Sequence, residues 1–565
     1  MNVIRFVLWL AFLGQFVPLS AQAQPGNYRI WLTDKMNSPF SLTQPGAYLS
    51  QRAIDRRNVQ NIAVTTHDLP VNPAYLAAIE GTGAVLLTQS KWLNTVVVQL
   101  DDTLILQQLA GLPFVMSMEW IGPAAKSHGG PGKGWPDKWE IQAGLTENAG
   151  DVSGSALAAK GTMFDYGASL NQISMINGDI LHARGFRGEG MVIAVLDAGF
   201  FRADSLPVFD SLRFHGRILG TRDFPEPGGN VYQKSSHGTA VLSIMGGNLP
   251  GELVGTAPQA SYWLLRSEDA NSEYPVEEDY WVAAAEFADS AGADIINSSL
   301  GYTVFFDSSL DHTYAQMDGN TTVVTRGADM AASRGMLVVN SAGNWGGSFW
   351  QYIGAPADGD SVLTIGAVNA VGQLVSFSST GPTFDGRIKP SVMAQGSGTI
   401  VAGSSGGVFP GNGTSFSSPV MAGAAACLWQ AHPQCTAMEI YQAILESADR
   451  YQNPDNFFGY GIPDMAEADL GLYTPPQSLP GMPVFLFPNP SRLDLRVHFY
   501  LNDYRNISLQ LYDLSGRQIG GQSDLQGKPG ANVIDVHGAD ALPAGLYLLE
   551  YRSGEAQVML KWLKM

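Results

Sequence analysis

A buried β-strand ending in an acid and a tight turn is predicted by residues 192–199, which read Val192-Ile193-Ala194-Val195-Leu196-Asp197-Ala198-Gly199. A continuous apolar run of this length is typical of a strand covered on both faces of a parallel sheet. Similar runs recur at 293–296, 336–340 and 362–368, and a helical pattern at 278–291 lies among them. We therefore predict an α/β fold over residues 173–471, with a parallel sheet and helices on both faces.

Three short motifs in this segment carry residue types suited to catalysis. Asp197 lies at the predicted carboxyl end of its strand, where α/β sheets place their sites. His237 lies in Ser-His-Gly-Thr-Ala at 236–240, and Ser415 in Gly-Asn-Gly-Thr-Ser-Phe-Ser-Ser-Pro at 411–419, each before a predicted helix. Each motif alone is weak, because an Asp can start a turn, a His can be structural and a Ser can cap a helix.

The serine motif points most directly to a reaction. Backbone N–H groups at the start of the helix after 411–419 point toward Ser415, and the helix dipole favours negative charge there. Acyl transfer needs such a position, because an oxyanion develops beside the attacking hydroxyl.

With Asp, His and Ser in this order and context, residues 180–470 resemble the subtilisin-like serine peptidases, the subtilases. The resemblance implies a secreted serine endopeptidase that forms an acyl-enzyme, with Asp197 orienting the imidazole, His237 as general base and Ser415 as nucleophile. It also implies that Asn344, in Asn-Ser-Ala-Gly-Asn at 340–344, donates its amide to the oxyanion. The alternative is a catalytically silent subtilase fold that serves as a surface binding module.

The resemblance further implies where the substrate lies. In Ile-Asn-Ser-Ser-Leu-Gly at 296–301, the backbone of Ser299, Leu300 and Gly301 would pair with an extended peptide and wall the first specificity pocket. No cofactor is expected for the chemistry. Many subtilases bind a structural calcium ion, and the loop at 307–322 carries acids, but the spacing of these acids identifies no ligands.

The first 23 residues read as a secretory signal peptide. Arg5 precedes a mostly apolar run at 6–19, and Ala21-Gln22-Ala23 matches the small-x-small cleavage rule. An uncleaved membrane anchor is the alternative, but the apolar run is shorter than the roughly 20 residues of a spanning helix. We predict a protein that is exported, extracellular or at the cell surface, and not membrane-spanning.

Residues 24–122 form a small α+β unit, with strand patterns at 28–32, 93–100 and 114–120 and helical patterns at 47–57, 73–79 and 102–109. The resemblance implies a propeptide that assists folding and inhibits the enzyme. A linker is predicted over 123–172, where the stretch 126–134 is rich in glycine.

Beyond Thr474-Pro475-Pro476 the apolar period changes to two, for example at 493–499 and 507–511, which predicts an all-β sandwich over 478–565. This region resembles the C-terminal sorting domain of the type IX secretion system in exported Bacteroidetes subtilases, through the motifs Phe-Pro-Asn-Pro at 487–490, Asp-Leu-Ser-Gly-Arg at 513–517, Gly-Leu-Tyr at 545–547 and Lys-Trp-Leu-Lys at 561–564. The alternative is a generic carbohydrate-binding sandwich. The expected partners are protein or peptide substrates, the chain's own propeptide and the type IX secretion machinery.

The charge balance excludes one class of partner. The 565 residues contain 32 Lys and Arg against 51 Asp and Glu, a formal net charge of −19, which argues against nucleic-acid binding. The acids concentrate in one segment, which holds Glu268, Asp269, Glu273, Glu277, Glu278 and Asp279. Two interpretations stay open: a subsite that favours basic substrate residues, or a solvated acidic helix start.

Cys427 and Cys435 are either a disulfide or two buried thiols.

Overall fold

A computed structural model describes residues 24–124, 165–472, 484–487, 495–501, 503–554 and 556–564. The predicted signal peptide, most of the predicted linker and its glycine-rich stretch lie outside these residues. Within the described ranges, no helix combines the length and apolar character needed to cross a bilayer.

The N-terminal unit is a four-stranded sheet in the order β2-β3-β1-β4, in which every neighbouring pair is antiparallel. Its elements are β1 (Gly26–Leu32), α1 (Gln51–Val59), α2 (Pro73–Glu80), β2 (Val85–Ser90), β3 (Thr95–Leu100), α3 (Leu104–Ala110) and β4 (Val115–Trp120). The sequence predicts three of these strands and misses β2. That strand lies at the sheet edge and is mostly part-exposed, so its residues do not alternate between buried and solvated positions.

The central unit contains a seven-stranded parallel sheet in the order β13-β12-β11-β10-β5-β9-β6. Its strands are β5 (Val192–Asp197), β6 (Ile218–Asp223), β9 (Ser261–Arg266), β10 (Ile295–Ser298), β11 (Leu337–Ser341), β12 (Val362–Val368) and β13 (Val392–Gln395). Two hairpin pairs accompany it: β7 (Asn248–Leu249) with β8 (Leu253–Val254), and β14 (Ser397–Ala402) with β15 (Val408–Asn412). The predicted parallel sheet is confirmed.

Helices cover both faces of this sheet, as predicted. They are α4 (Leu170–Ser174), α5 (Gly178–Ala183), α6 (Asp210–Phe214), α7 (His237–Gly246), α8 (Val276–Ala291), α9 (Val323–Ser333), α10 (Thr414–Ala431), α11 (Ala437–Glu446) and α12 (Met465–Leu472). Side chains of β5 alternate between two cores: Ile193 and Val195 join the core under α7 and α10, while Ala194 and Leu196 join the core under α8 and α9. By this alternation, Asp197 at the end of β5 points to the side of α7 and α10.

The central unit begins earlier than the predicted boundary at residue 173. Tyr166 is buried, and its hydroxyl lies 2.7 Å from Nδ1 of His182. The Ser169 hydroxyl donates to the carbonyl of Val254 at 3.1 Å and accepts from the Val254 N–H at 3.0 Å. The assignment of 165–172 to a linker is therefore wrong, because these polar contacts tie the segment to the folded unit.

The C-terminal strands form two antiparallel sheets, β16-β17-β20 and β19-β18-β21-β22. They are β16 (Val484–Phe487), β17 (Arg496–Leu501), β18 (Arg505–Tyr512), β19 (Gln518–Gly527), β20 (Gly530–Asp535), β21 (Gly545–Ser553) and β22 (Ala556–Lys564). The alternating residues of the sequence pattern lie in their shared core: Leu495, Val497, Phe499, Ile507, Leu509 and Leu511. The predicted all-β character is confirmed.

The N-terminal unit packs its open sheet face and α1 onto the central unit, largely against α8. In β1, Tyr28, Ile30 and Leu32 enter the unit's own core, whereas Arg29 pairs with Asp279 of α8 at 2.6 Å. The most deeply buried cluster surrounds Asp289, whose carboxylate lies 2.6 Å from Arg56, 2.8 Å from Arg57 and 3.3 Å from Lys91. Burial opposes the charged carboxylate, but Lys91, Arg56 and Arg57 outweigh it and lower the pKa of Asp289.

Replacing Asp289 with alanine should loosen this interface. The change leaves Arg56 and Lys91 buried without their carboxylate, and removal of one partner of a buried pair costs about 3–5 kcal/mol. We expect a denaturant transition of the unprocessed chain at clearly lower denaturant concentration than in the wild type. Asp55→Ala, at an exposed position of α1, is the matched control and should change stability by no more than about 0.5 kcal/mol. Equal shifts in both variants would contradict the role of Asp289.

Candidate active site

Asp197 and His237 meet where β5 ends and α7 begins. Nδ1 of His237 lies 2.9 Å from Oδ1 and 3.0 Å from Oδ2 of Asp197. Asp197 is fully buried, and its Oδ1 also accepts the N–H of Ala198 at 2.7 Å. The carboxylate therefore favours the imidazole tautomer with its proton on Nδ1, which leaves Nε2 as the basic nitrogen.

Two glycines allow this close approach of strand and helix. A Cβ on Gly238 would lie 2.4 Å from the carbonyl oxygen of Gly199 and 2.9 Å from Cγ of Asp197. Gly199 has φ +151°, and a Cβ there would lie 2.5 Å from the backbone nitrogen of Ser235. Any larger residue at either position would separate β5 from the start of α7.

Ser415 is the second residue of α10, after Gly413 with φ 152° at the N-cap. It is 7% exposed, and its hydroxyl donates to the carbonyl of Ser299 at 3.4 Å. The ring of Phe416 stacks on His237 with centroids 6.2 Å apart, which joins the starts of α10 and α7. The N–H of Thr414 donates to Asn344 and that of Phe416 to the carbonyl of Gly413. An anion beside Ser415 would therefore meet the N–H of Ser415 and the positive end of the helix dipole.

Asn344 lies beside this helix start in a fixed orientation. Its Oδ1 accepts the N–H of Thr414 at 2.8 Å and the Thr414 hydroxyl at 3.0 Å. The amide nitrogen is therefore turned away from Thr414 and is available to a ligand. Thr414 was not among the predicted site residues; its position directly before Ser415 in the 411–419 motif is the signal that could have identified it.

The predicted substrate-binding residues follow β10 directly. Ser299 and Leu300 are each 2% exposed, and the Ser299 hydroxyl donates to the carbonyl of Ser415 at 2.9 Å. The Leu300 carbonyl accepts from Asn340 at 3.1 Å. Within the described part of the chain, the N–H and carbonyl of Gly301 make no backbone hydrogen bond, so Gly301 is the residue best placed to pair with an added strand.

A buried arginine that the sequence analysis did not single out braces the Asp197 turn. Arg266 ends β9, donates to the carbonyl of Ala198 at 3.2 Å, and contacts both oxygens of Asp223 at 2.9 and 3.1 Å. The next residue, Ser267, donates its N–H to the carbonyl of Asp197 at 3.0 Å. A charged residue at the end of the apolar run 261–266 is the sequence signal for this brace.

The acidic segment is mostly buried, so its interpretation as a solvated helix start is wrong. Glu268, Glu277 and Glu278 are each at most 1% exposed. Glu278 lies 2.6 Å from Nε2 of His312. Glu268 accepts a hydrogen bond from the hydroxyl of Tyr302 at 2.7 Å. Burial, together with the nearby Glu268, raises the pKa of Tyr302. These contacts come from distant parts of the chain and replace the water that the sequence interpretation assumed.

Glu268, Glu273 and Glu277 offer oxygen atoms within 4.8 Å of one another, and among the described residues they are the group that could hold a metal ion. In the loop expected to bind calcium, the acids instead cap local backbone: Asp307 accepts from Ser309, Asp311 from Phe305 and Asp318 from Asn320. A structural calcium ion therefore stays a prediction.

The two cysteines are free buried thiols rather than a disulfide. Burial raises the pKa of Cys427, whose thiol donates to the carbonyl of Thr256 at 3.1 Å. A protonated thiol of this kind is a packing group rather than a nucleophile.

Substitution of Gly238 by alanine tests whether the glycine contact holds the Asp–His pair. The added Cβ would push against Gly199 and Asp197, and a displacement of about 1 Å at a reacting group can cost about 10²-fold in rate. We expect kcat/KM for peptide hydrolysis to fall by about that factor while far-UV circular dichroism stays unchanged. Gly407→Ala, where a Cβ would meet nothing within 4 Å, is the control. Unchanged hydrolysis by the Gly238 variant would contradict the steric argument.

Comparison with known proteins matches three parts of the chain to family models. Residues 188–461 match the family model described as subtilase family, residues 27–131 that of the peptidase S8 propeptide domain of Bacteroidota, and residues 485–565 that of the secretion system C-terminal sorting domain. The last match confirms the sorting-domain interpretation over a carbohydrate-binding sandwich, and it marks the protein for secretion and the cell surface.

Two relatives, both subtilisins, lead to the same family. Subtilisin E of Bacillus subtilis is 32% identical over 294 residues, which cover 51% of this chain and 68% of that protein. Subtilisin of Bacillus pumilus is 31% identical over 294 residues, covering 51% and 94%. The crystal structure of MycP1 from Mycobacterium smegmatis aligns with 23% identity and a TM-score of 0.42 over 55% of this chain and 87% of that one. The chain belongs to the subtilase family and is a serine-type endopeptidase.

Proposed function

We propose that this endopeptidase works through a triad of Asp197, His237 and Ser415 and a covalent acyl-enzyme. The proposal rests above all on the buried two-oxygen contact of Asp197 with Nδ1 of His237, made on the same side of the sheet as the start of α10. Further support comes from Phe416, the residue after Ser415, whose ring stacks on the His237 imidazole with centroids 6.2 Å apart and so brings the start of α10 next to this histidine.

In the proposed reaction, Nε2 of His237 takes the proton of the Ser415 hydroxyl as its oxygen attacks the substrate carbonyl. The oxyanion that forms accepts hydrogen bonds from the Asn344 amide and from the N–H of Ser415, next to the positive end of the α10 dipole. His237 then gives its proton to the leaving amine. Water repeats the sequence to release the acyl group, and Asp197 stays ionised throughout.

The substrate is proposed to add an extended strand beside Ser299, Leu300 and Gly301. Support comes from the N–H and carbonyl of Gly301, which make no backbone hydrogen bond in the described part of the chain. The carbonyl of Ser299, already 3.4 Å from the Ser415 hydroxyl, would accept from the residue whose carbonyl is attacked. The proposed steps use only side-chain and backbone groups of this chain and water, and a structural calcium would support the fold rather than a step.

We also propose a division of the chain in which residues 1–23 are a signal peptide, 24–122 a propeptide, and 478–565 a sorting domain that engages the type IX secretion machinery. The peptidase unit is taken from about residue 165 to 471, which shortens the linker to about 123–164. The ion pairs of Asp279 and Asp289 with Arg29, Arg56 and Arg57 support a propeptide that binds its own peptidase tightly.

Labelling by a fluorophosphonate probe tests the triad. The probe should modify the wild-type protein and leave Ser415→Ala unmodified, and the variant should also fail to process its propeptide. Ser417→Ala removes a hydroxyl of the same helix turn, one that donates to the carbonyl of Thr414, and should keep labelling. Equal labelling of wild type and Ser415→Ala, or none of either, would favour the silent binding module instead.

Removal of the Asn344 amide should reduce stabilisation of the transition state and leave substrate binding unchanged. Loss of one oxyanion donor typically lowers kcat by about 10²–10³-fold, so Asn344→Ala should show that loss with KM changed by less than about threefold. Asn453→Ala, at an exposed asparagine beyond α11, should behave as the wild type. A variant whose KM rises while kcat stays constant would speak against oxyanion stabilisation by Asn344.

A further inference from the structure

The indole of Trp345, the residue after Asn344, lies among three glycines. Gly343 and Gly354 belong to the same connection between β11 and β12, and Gly301 follows β10. A Cβ on Gly343 would lie 2.3 Å from Cζ3 of the indole, one on Gly354 2.8 Å from Cζ3, and one on Gly301 3.1 Å from Cη2. The benzo edge of the ring therefore fills a slot between these three glycines, with the side chains of Thr303 and Ser379 close to Gly354 and Gly343. A methyl group at Gly343 or Gly354 would collide with the ring, and one at Gly301 would crowd it.

The backbone that carries this indole is firmly attached. The N–H of Trp345 donates to the Ser379 hydroxyl at 3.0 Å, and the N–H of Ser379 donates to the carbonyl of Gly343 at 2.9 Å. The N–H of Gly346 donates to the carbonyl of Phe377 at 2.9 Å. Because both flanks of Trp345 are bonded to the segment 377–379, the ring is directed into the slot by a fixed main chain.

The slot lies where the substrate side chain next to the scissile bond would enter. Gly301 forms one wall, and it directly follows Ser299 and Leu300, beside the Ser415 hydroxyl. Gly343 forms another wall, directly before Asn344, the proposed oxyanion donor. In the proposed binding mode the backbone of P1, the residue whose carbonyl is attacked, pairs beside Gly301 and its carbonyl oxygen reaches Asn344, so its side chain would enter between Gly301 and Gly343. The indole lies between these two walls.

We propose that Trp345 is a specificity-determining residue that restricts P1 to small side chains: glycine, alanine and serine. The inference rests on the proposed function, since it takes Ser415 as the nucleophile. An apolar pocket distinguishes substrates by about 10–200-fold for each methylene that it accepts or refuses. A leucine or phenylalanine at P1 would have to displace a ring that packs against three glycine surfaces, so their exclusion follows from volume alone.

The test uses the full-length protein and a set of peptides that differ only in P1, with glycine, alanine, leucine or phenylalanine. We expect wild-type kcat/KM to be at least about tenfold higher for alanine than for phenylalanine at P1. Trp345→Ala should raise kcat/KM for P1 phenylalanine at least about tenfold and leave P1 alanine within about threefold. Phe349→Ala, at a fully exposed aromatic residue of the same loop with 106% relative exposure, should keep the wild-type profile.

Fluorophosphonate labelling of the same samples separates this inference from the proposed function. If the wild type is labelled at Ser415 but cleaves after phenylalanine as well as after alanine, the role of Trp345 is refuted and the triad stands. If the wild type is not labelled, the proposed function fails and this inference fails with it. Should Trp345→Ala not fold, the P1 series of the wild type alone decides the question.

Discussion

The arrangement of the central unit depends on the contact between the buried Asp197 carboxylate and the His237 imidazole. A carboxylate with no solvent exposure is costly to bury unless hydrogen bonds compensate it, and here His237 and the N–H of Ala198 provide that compensation. Both donors arrive only because β5 ends where α7 begins, with Gly199 and Gly238 at the crossing. Arg266, at the end of β9, forms an ion pair with Asp223 and donates to the carbonyl of Ala198. The neighbouring strand therefore also holds the turn that positions Asp197.

Buried carboxylates with compensating partners also hold the N-terminal unit on the central unit. The carboxylates of Asp279, Glu286 and Asp289 lie along α8 and point to the N-terminal sheet and α1. Glu286 accepts the N–H groups of Lys91 and Trp92, each at 2.9 Å, and Asp289 is surrounded by cations. Such groups are stable only while every partner is in place. Their arrangement makes the association specific, and once the two units separate each charge would regain water, which fits the proposed role of residues 24–122 as a propeptide.

In the proposed binding mode, substrate selection depends on backbone hydrogen bonds and pocket volume more than on charge. An added strand can bond to Gly301 whatever its side chains are, so the main chain supplies affinity without discrimination. Discrimination then falls to the pocket beside Ser415, where Trp345 and three glycines set the available volume. The acidic segment, which includes the first turn of α8, is mainly engaged with Arg29, His312 and Tyr302.

Local patterns in the sequence predicted the parallel sheet, the helices on both of its faces and the all-β C-terminal part. They also identified the three residues of the proposed triad. Apolar runs report burial directly, and a glycine beside Asp, His or Ser reports a tight approach of the main chain. The edge strand β2 was missed because edge burial leaves no such pattern. Only the tertiary structure decided the rest: that Thr414 orients Asn344, that the acids of α8 are buried, and that Trp345 fills a slot of glycines. Most of these partners lie tens to hundreds of residues apart, and side-chain contacts at that separation depend on packing rather than on any local period.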